Sequence, residues 1–272
     1  MKKILLICSV LSAGTFTACE KQNLTNQGIE NSSKRSDKEM DSMDSLKTGL
    51  IAYYPFNNNV KDESGNKHDG KKFNLTCTFD RNNHPNSAYY FNGISSYVKI
   101  KDSKDLRLAN TSFSINYWVR LEGYNESHGS AVLHKRGGGS TNGWGTSITG
   151  ASAAFTEVGK VGRAAYRVSG GNDPLSVGEQ YLEEDKWYMI TLSYNIDSQV
   201  FKIYVNGNIE TTTPNIPSPN ALASADLYLG RDSIFPEDST PPYFLKGKLD
   251  DIRLYGRVLS QNQINNLLII EN

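Results

Sequence analysis

The sequence predicts an all-β domain, built as a two-sheet antiparallel sandwich with one short C-terminal helix. Between Phe113 and Leu121 apolar and polar residues alternate with a period of two, which is typical of a half-buried strand. Asn206-Gly207 lies between two short apolar runs and is a strong hairpin signal, because both residues tolerate positive φ. Fifteen Tyr and 23 Gly against four Met also favour strands and turns. We expect about ten to fourteen strands, and without strand–helix alternation a sandwich is the economical architecture.

Residues 1 to 18 are predicted to be a signal peptide. Two lysines precede an apolar run at residues 4 to 11, and this run is too short for a membrane-spanning helix of ~20 residues. The small residues before Cys19 resemble the bacterial lipobox, so we predict that Cys19 is lipidated. An exported lipoprotein, anchored at the periplasmic or cell-surface face of a membrane, is then expected. Phe16 stands where the lipobox usually has Leu, Val or Ile, which leaves cleavage by another peptidase open.

Residues 19 to 47 are rich in Asn, Ser, Lys, Asp and Glu and contain few large apolar residues. Such a composition cannot offset the entropy of ordering, so we expect a disordered tether ahead of a single domain at residues 48 to 272. With Cys19 acylated, Cys77 is the remaining thiol of the mature chain, and no intrachain disulfide can form.

Further strands are expected at short apolar or alternating runs, which are Leu50 to Tyr54, Ala88 to Phe91, Tyr97 to Ile100, Ala131 to Lys135, Arg163 to Val168, Trp187 to Tyr194, Val200 to Val205, Leu227 to Leu229 and Lys248 to Tyr255. A loop at residues 195 to 198 joins two of them into a meander. The C-terminal helix is signalled by Ser260 and Gln263, a capping box ahead of an apolar face with Ile264, Leu267 and Leu268.

The charge balance argues against a polyelectrolyte partner. Lys plus Arg number 29 and Asp plus Glu number 29, so the formal net charge is zero. A neutral chain has no global field that attracts nucleic acid, and we expect no nucleic-acid binding.

Five stretches follow one another in a recognisable order. They are Tyr53-Tyr54-Pro55-Phe56 with Asn59, Asp62, Ser64-Gly65-Asn66 and Gly70; Tyr90-Phe91-Asn92-Gly93 with Tyr97-Val98; Phe113 to Val119; Trp187-Tyr188 through Ile203 to Gly207; and Gly247 to Tyr255. Together they resemble LamG-like jelly rolls of the concanavalin A-like lectin and glucanase superfamily, over about Gly49 to Leu268. The resemblance implies a jelly-roll fold. This family contains sugar-binding modules, adhesion domains and accessory domains of secreted enzymes, so the fold alone does not name a ligand.

A glucanase-type catalytic motif is absent. Some glucanases of this superfamily carry Glu-x-Asp-x-x-Glu on one strand, where alternate carboxylates face the same cleft. Here Glu-x-Asp occurs at Glu39 and at Glu183, and the third position is Asp44 or Tyr188 instead of Glu. We therefore expect a protein without glucanase activity.

The resemblance implies a structural calcium ion that joins the opening loop to the closing strand. Asp62 and Asp250 stand at the matching places, with Asn57 and the carbonyls of His68 and Gly70 as further donors, and calcium accepts such hard oxygen ligands in irregular geometry. The alternative is that Asp62 caps a turn and Asp250 makes a local hydrogen bond.

Strand alternation selects Asp250 over Asp251 as the calcium ligand. It predicts that Asp250 shares a face with Ile252 and Leu254. A carboxylate on an apolar face needs a partner.

A sugar ring would bind to an exposed aromatic side chain with polar neighbours. Trp144 lies between two glycines after a glycine-rich stretch and is the candidate platform, although it could also pack beneath that loop. Its predicted neighbours in a ligand site are Arg136, Asn142, Arg163, Tyr166 and Arg167.

The leading hypothesis is a surface-anchored, non-catalytic carbohydrate-binding or adhesion lipoprotein, expected as a monomer whose partner is a glycan or a surface protein. One alternative is a carbohydrate-active enzyme with an unfamiliar site, for which Glu157, Tyr166 and Glu179 are candidates. The other is a structural module that binds a surface protein.

Overall fold

A computed structural model describes residues 45–124, 129–137, 142–150, 161–169, 175–233 and 243–270. The chain divides into two units, Met1–Asp41 and Ser42–Asn272, and every described residue belongs to the second. The signal peptide, Cys19 and Glu157 lie outside the described residues. Within those ranges, no helix has the length and apolarity needed to cross a membrane.

The described residues form two antiparallel sheets, which confirms the predicted all-β sandwich. The first sheet has the order β13-β12-β11-β6-β15-β4-β3, with β1 also paired to β15. Its strands are β1 (Leu50–Tyr54), β3 (Thr76–Thr78), β4 (Ala88–Asn92), β6 (Phe113–Gly123), β11 (Trp187–Asn195), β12 (Val200–Val205), β13 (Asn208–Thr213) and β15 (Lys246–Tyr255).

The second sheet has the order β10-β9-β8-β7-β14-β5-β2. Its strands are β2 (Gly70–Phe73), β5 (Tyr97–Ile100), β7 (Ser130–Arg136), β8 (Gly143–Ile148), β9 (Ala164–Ser169), β10 (Leu175–Val177) and β14 (Leu227–Leu229). Alternate side chains of the two sheets meet in one apolar core, which holds Phe113, Tyr117 and Trp144 among its largest members.

Helix α1 (Gln261–Ile269) covers part of the outer face of the first sheet. Its apolar residues Ile264 and Leu267 pack in a second cluster with Trp118, Met189 and Tyr204. The predicted capping box is confirmed, because the Ser260 side chain accepts from the Gln263 backbone and the Gln263 side chain accepts in return.

The predicted hairpin at Asn206-Gly207 is also confirmed. The two residues have φ values of 47° and 80° and join β12 to β13. This left-handed pair fits the twist of a two-residue hairpin.

The predicted end of the tether is wrong by at least three residues. Residues 45–47 are helical, and Leu46 is 4% exposed within the cluster beneath α1. The Arg257 guanidinium donates to the carbonyls of Ser45 and Thr48, which holds this segment against the domain.

The predicted face of Asp250 is wrong because β15 contains a bulge. The register of β15 against β6 shifts between Asp250 and Arg253, and Asp251 has a φ of 48°. Asp250 therefore pairs with Trp118, whereas Ile252 and Leu254 belong to the core. One extra residue in a strand reverses the face of everything beyond it.

Candidate functional site

Trp144 is a core residue, which overturns its prediction as an exposed platform. It lies on β8, its exposure is 0%, and its indole N–H donates to the Leu106 carbonyl at 3.1 Å. The flanking Gly143 and Gly145 are strand residues of β8, paired with Arg136 and His134. The prediction failed because the glycines allow a close approach of neighbouring groups rather than a flexible loop.

The other predicted ligand residues do not gather around Trp144. Tyr166 is in the core and stacks on Phe201 at 4.1 Å, so its assignment to a ligand or catalytic site is also wrong. The Arg163 guanidinium lies 5.3 Å from the ring of Tyr181.

Asn142 and Glu179 are both outside the core. The Asn142 side-chain oxygen accepts from Asn220 at 2.9 Å. Asn220 lines an open groove of about 470 Å³ together with Asn110, Val168 and residues 217–221. Glu179 is exposed after β10. Two of the predicted ligand residues, Arg136 and Arg167, belong to a candidate site on the outer face of the second sheet.

The described residues do not fit the predicted calcium site. The Asp62 carboxylate accepts three backbone N–H groups, from Tyr53, Ser64 and His68, each at 2.9 Å. Burial raises the pKa of Asp62, but the amide hydrogens of His68 and Tyr53 and the contacts of Ser64 together hold it below its ordinary value. Asp62 is thus the acceptor that organises its own loop.

Two of the remaining predicted residues, His68 and Asn57, have carbonyls that are hydrogen-bonded within the protein. The His68 carbonyl accepts from the Tyr54 hydroxyl at 2.7 Å, and the Asn57 carbonyl accepts from the Asn59 side chain. Gly70 begins β2, where its N–H donates to the Val60 carbonyl. Across the ranges that the structure describes, no three His, Cys, Asp or Glu side chains are grouped to hold a metal ion.

Asp250 is held by arginine. One oxygen accepts from Arg81 Nη1 at 2.5 Å, and a second nitrogen of the same guanidinium lies 3.3 Å from Asp251. Burial raises the pKa of Asp250 to about 7; Arg81 opposes this shift and the nearby Asp251 adds to it. Asp250 therefore belongs to a buried ionic network that links β15 to the loop before β4.

The outer face of the second sheet carries a continuous row of side chains. The strand register aligns one residue from each of the seven strands, from one edge of the sheet to the other. We name these seven residues the outer-face row: Leu175, Arg167, Gly145, His134, Tyr228, Lys99 and Lys71. Their immediate neighbours along the strands, such as Trp144, Val168 and Leu229, are in the core, so the row faces outward.

His134 lies at the centre of this row in a small polar pocket. The pocket has a volume of about 10 Å³ and is lined by Gly129, Ala131, His134, Arg136, Ser147, Asp232 and Tyr243. His134 is 7% exposed, and its Nδ1 lies 3.3 Å from Oδ1 of Asp232. Nε2 makes no hydrogen bond to any residue in the described part of the chain. At this geometry Nδ1 makes no hydrogen bond to Asp232 either, so both ring nitrogens are open to a polar group that enters the pocket.

Gly145 makes room for this imidazole. A Cβ on Gly145 would lie 3.0 Å from Nε2 and 3.1 Å from two ring carbons of His134. Atoms in ordinary contact stay about 3.5–4.0 Å apart, so only glycine leaves the ring in place.

An aromatic cluster adjoins the pocket. Phe73 and Tyr97 stack with their centroids 4.4 Å apart, and Tyr228 lies 5.9 Å from Tyr97. The Arg231 guanidinium lies 5.2 Å from the Tyr97 ring and 6.0 Å from that of Phe244. The four rings are half-buried, so each keeps part of its surface towards solvent. Flat apolar surface next to polar groups is the usual chemistry of a sugar site.

Sequence reasoning missed most of this site. His134, Tyr228 and Lys99 fell within predicted strands, and alternation in those strands could have assigned them to the outer face. Their proximity depends on register between strands that are distant in sequence, for which the sequence contains no local signal.

The sequence matches the model of one protein family. The family is Laminin_G_3, of the concanavalin A-like lectin/glucanases superfamily, and the match covers residues 75–265. The chain therefore belongs to this family. No curated protein matches it.

Several solved structures share the fold. Domain 4 of AbnA, a GH43 extracellular arabinanase from Geobacillus stearothermophilus, in complex with arabinotriose, has a TM-score of 0.61 at 21% identity, covering 80% of this chain and 98% of that one. The binding domain of Paraclostridial Mosquitocidal Protein 1 has a TM-score of 0.62 at 16% identity, with 82% and 52% covered. The binding domain of botulinum neurotoxin DC, in complex with rat synaptotagmin II, has a TM-score of 0.60 at 13% identity, with 82% and 51% covered. The chain thus spans about half of each toxin structure.

Proposed function

We propose that this protein is a non-catalytic carbohydrate-binding module whose ligand lies on the outer face of the second sheet. The observation that carries the proposal is the arrangement of half-buried aromatic rings beside the polar pocket of His134. The rings offer flat apolar surface to a sugar, and the pocket holds one hydroxyl-sized group, because its volume is that of about one water molecule.

The two outer faces differ in a way that supports this choice. The outer face of the first sheet is covered by α1 and its apolar cluster. Among the described residues, no helix packs on the outer-face row. The likeness to domain 4 of AbnA, a structure in complex with arabinotriose, is a further reason to propose a glycan ligand.

A second function is favoured by one observation, the 3.3 Å approach of His134 Nδ1 to Asp232 within a pocket. Such a pair can orient an imidazole for general acid–base catalysis. Release of reducing sugar or of an unsaturated product from a bound glycan would establish this function in place of pure binding.

The proposal is tested on a glycan array with purified full-length chain, alongside Tyr228→Ala and His134→Ala. We expect binding without product, and a loss of at least tenfold in affinity for each variant at unchanged circular dichroism. Tyr181→Ala is the matched control, because this tyrosine is 45% exposed and lies outside the row. Unchanged affinity in both site variants would move the ligand to another surface, and no glycan binding combined with capture of a surface protein would replace the carbohydrate function.

We also propose that the module is held at a membrane by lipid on Cys19. The support is the lipobox-like sequence before this residue. Wild type should incorporate labelled palmitate and fractionate with membranes, and Cys19→Ala should be released into the soluble fraction. A wild type that takes up no label and fractionates as soluble would overturn the anchor.

A further inference from the structure

We propose that the ligand of the outer-face row is a linear anionic glycan that crosses the strands of the second sheet. This inference rests on the proposed function, because it names the chemical class of the carbohydrate at the same site. It is carried by the charges of the row, by their spacing, and by one buried imidazole.

The row contains two lysines, one arginine and one histidine, and it has no acidic member. This is unusual for the chain, whose acidic and basic residues balance at 29 each. Two carboxylates approach the row, Asp226 at 3.5 Å from the Lys99 amine and Asp232 beside His134. With three cations, Lys71, Lys99 and Arg167, against these two carboxylates, the row carries a small excess of positive charge, which attracts an anionic ligand.

The spacing of the strip suits a polymer. Adjacent strands lie about 4.8 Å apart, so the seven residues span roughly 29 Å from Leu175 to Lys71. Lys71 and Lys99 lie on neighbouring strands, His134 lies two strands further on, and Arg167 lies two strands beyond His134. One sugar unit of an extended glycan is comparable in length to one strand spacing. Acid groups along the glycan can thus meet Lys71, Lys99 and Arg167, with the Tyr228 ring and the His134 pocket between them.

Lys71 and Lys99 are directly opposite each other on β2 and β5. Like charges in this position destabilise a strand pair. Each amine also lies over an aromatic ring, Lys71 at 5.2 Å from Phe73 and Lys99 at 5.6 Å from Tyr228. The pair thus holds two cations beside aromatic rings, where an acidic sugar can bind the amines while its apolar face contacts the exposed parts of the rings.

The central pocket supplies an independent sign of a ligand. His134 is more than nine-tenths buried, and its Nε2 makes no hydrogen bond to any described residue. A buried polar atom normally has a partner. A sugar hydroxyl hydrogen-bonded to Nε2 provides one, which fixes the glycan at the middle of the row.

The test compares anionic and neutral glycans on the purified full-length chain in detergent. The probes are polygalacturonate, heparin and neutral arabinan, with affinity measured by calorimetry at low and high salt. The variant is Lys71→Gln/Lys99→Gln, and the control is Lys202→Gln, a half-buried lysine on β12 of the first sheet. Thermal unfolding of every variant is recorded beside its affinity.

We expect salt-sensitive binding of an anionic probe, at least tenfold weaker in the double variant and unchanged in the control. The melting temperature of the double variant should change little, because removal of the like-charge pair offsets the lost contacts of Lys99 with Asp226 and of both amines with their rings. Preference for polygalacturonate over heparin would identify carboxylate as the anion, and the reverse would identify sulfate. Equal binding of neutral arabinan, unaffected by the double substitution, would overturn this inference and leave the proposed function standing. Binding of no glycan would overturn both.

Discussion

Replacing Trp144 with alanine tests whether β8 directs this side chain into the core. Truncating a fully buried Trp costs about 3–5 kcal/mol through lost contacts and a cavity, and Trp144 is 0% exposed. The variant also loses the indole hydrogen bond to Leu106, worth about 1 kcal/mol. The sum, about 4–6 kcal/mol, approaches the whole stability of a marginal domain, which is about 5–15 kcal/mol.

The assay is urea unfolding followed by far-UV circular dichroism, with glycan affinity measured on the folded fraction. Trp144→Phe should lose about 1–2 kcal/mol, because it keeps most of the burial and gives up the hydrogen bond. Trp187→Ala is the matched control, since this Trp is half-buried and should cost less than Trp144→Ala. A nearly unchanged stability of Trp144→Ala together with lost glycan binding would refute the core assignment.

Three further predictions concern single residues. Gly145→Ala should weaken glycan binding, because its Cβ would displace the ring of His134, while changing stability by no more than about 1 kcal/mol. The control is Gly178→Ala, whose Cβ meets nothing closer than 3.4 Å. Equal glycan affinities of the two variants would contradict the site. Burial raises the pKa of Asp250 to about 7, so its contribution to stability is present below about pH 4 and lost as pH rises to about 7. In urea titrations, Asp250→Asn should therefore gain stability relative to wild type as pH rises through this window. A loss of stability relative to wild type would contradict the raised pKa. Asp62→Ala should lower the free energy of unfolding by about 2 kcal/mol or more, because three amides lose their acceptor. The melting curve of wild type should be the same in calcium and in EDTA. A calcium-dependent melting temperature would contradict the assignment of Asp62 as the acceptor of its own loop.

The sequence predicted the features that depend on neighbours along the chain. The hairpin at Asn206-Gly207 follows from the left-handed backbone that both residues tolerate, and the capping box follows from Ser260 and Gln263 three residues apart. The fold class followed from alternation and from the order of the family-like stretches. Each of these signals is carried by residues that are close in sequence.

Alternation failed where one residue departs from the strand conformation. Asp251 adopts positive φ without being glycine, and this bulge places Asp250 on the outer face beside Arg81. The glycine-rich stretch caused a second error, in which a strand is predicted as a loop. The glycines around Trp144 predict a loop, yet Gly145 is a strand residue whose missing side chain accommodates His134.

The candidate site depends on register, which the sequence does not encode locally. Lys71 and Arg167 lie almost one hundred residues apart in the sequence and share one face of the second sheet, with four strands between β2 and β9. Alternation in β5 and β9 would assign Lys99 and Arg167 to the outer face, but it could not place them in one row. The order of strands in the second sheet supplies that information.

The central claim is that a glycan binds the outer face of the second sheet, and amide chemical-shift mapping with a polygalacturonate oligosaccharide tests it most directly. We predict that the largest shifts fall on the strand residues of the row, at His134, Tyr228 and Lys99, and that the Lys71→Gln/Lys99→Gln variant needs at least tenfold more glycan to produce them. Shifts confined to the groove at residues 217–221, or to the face covered by α1, would contradict it.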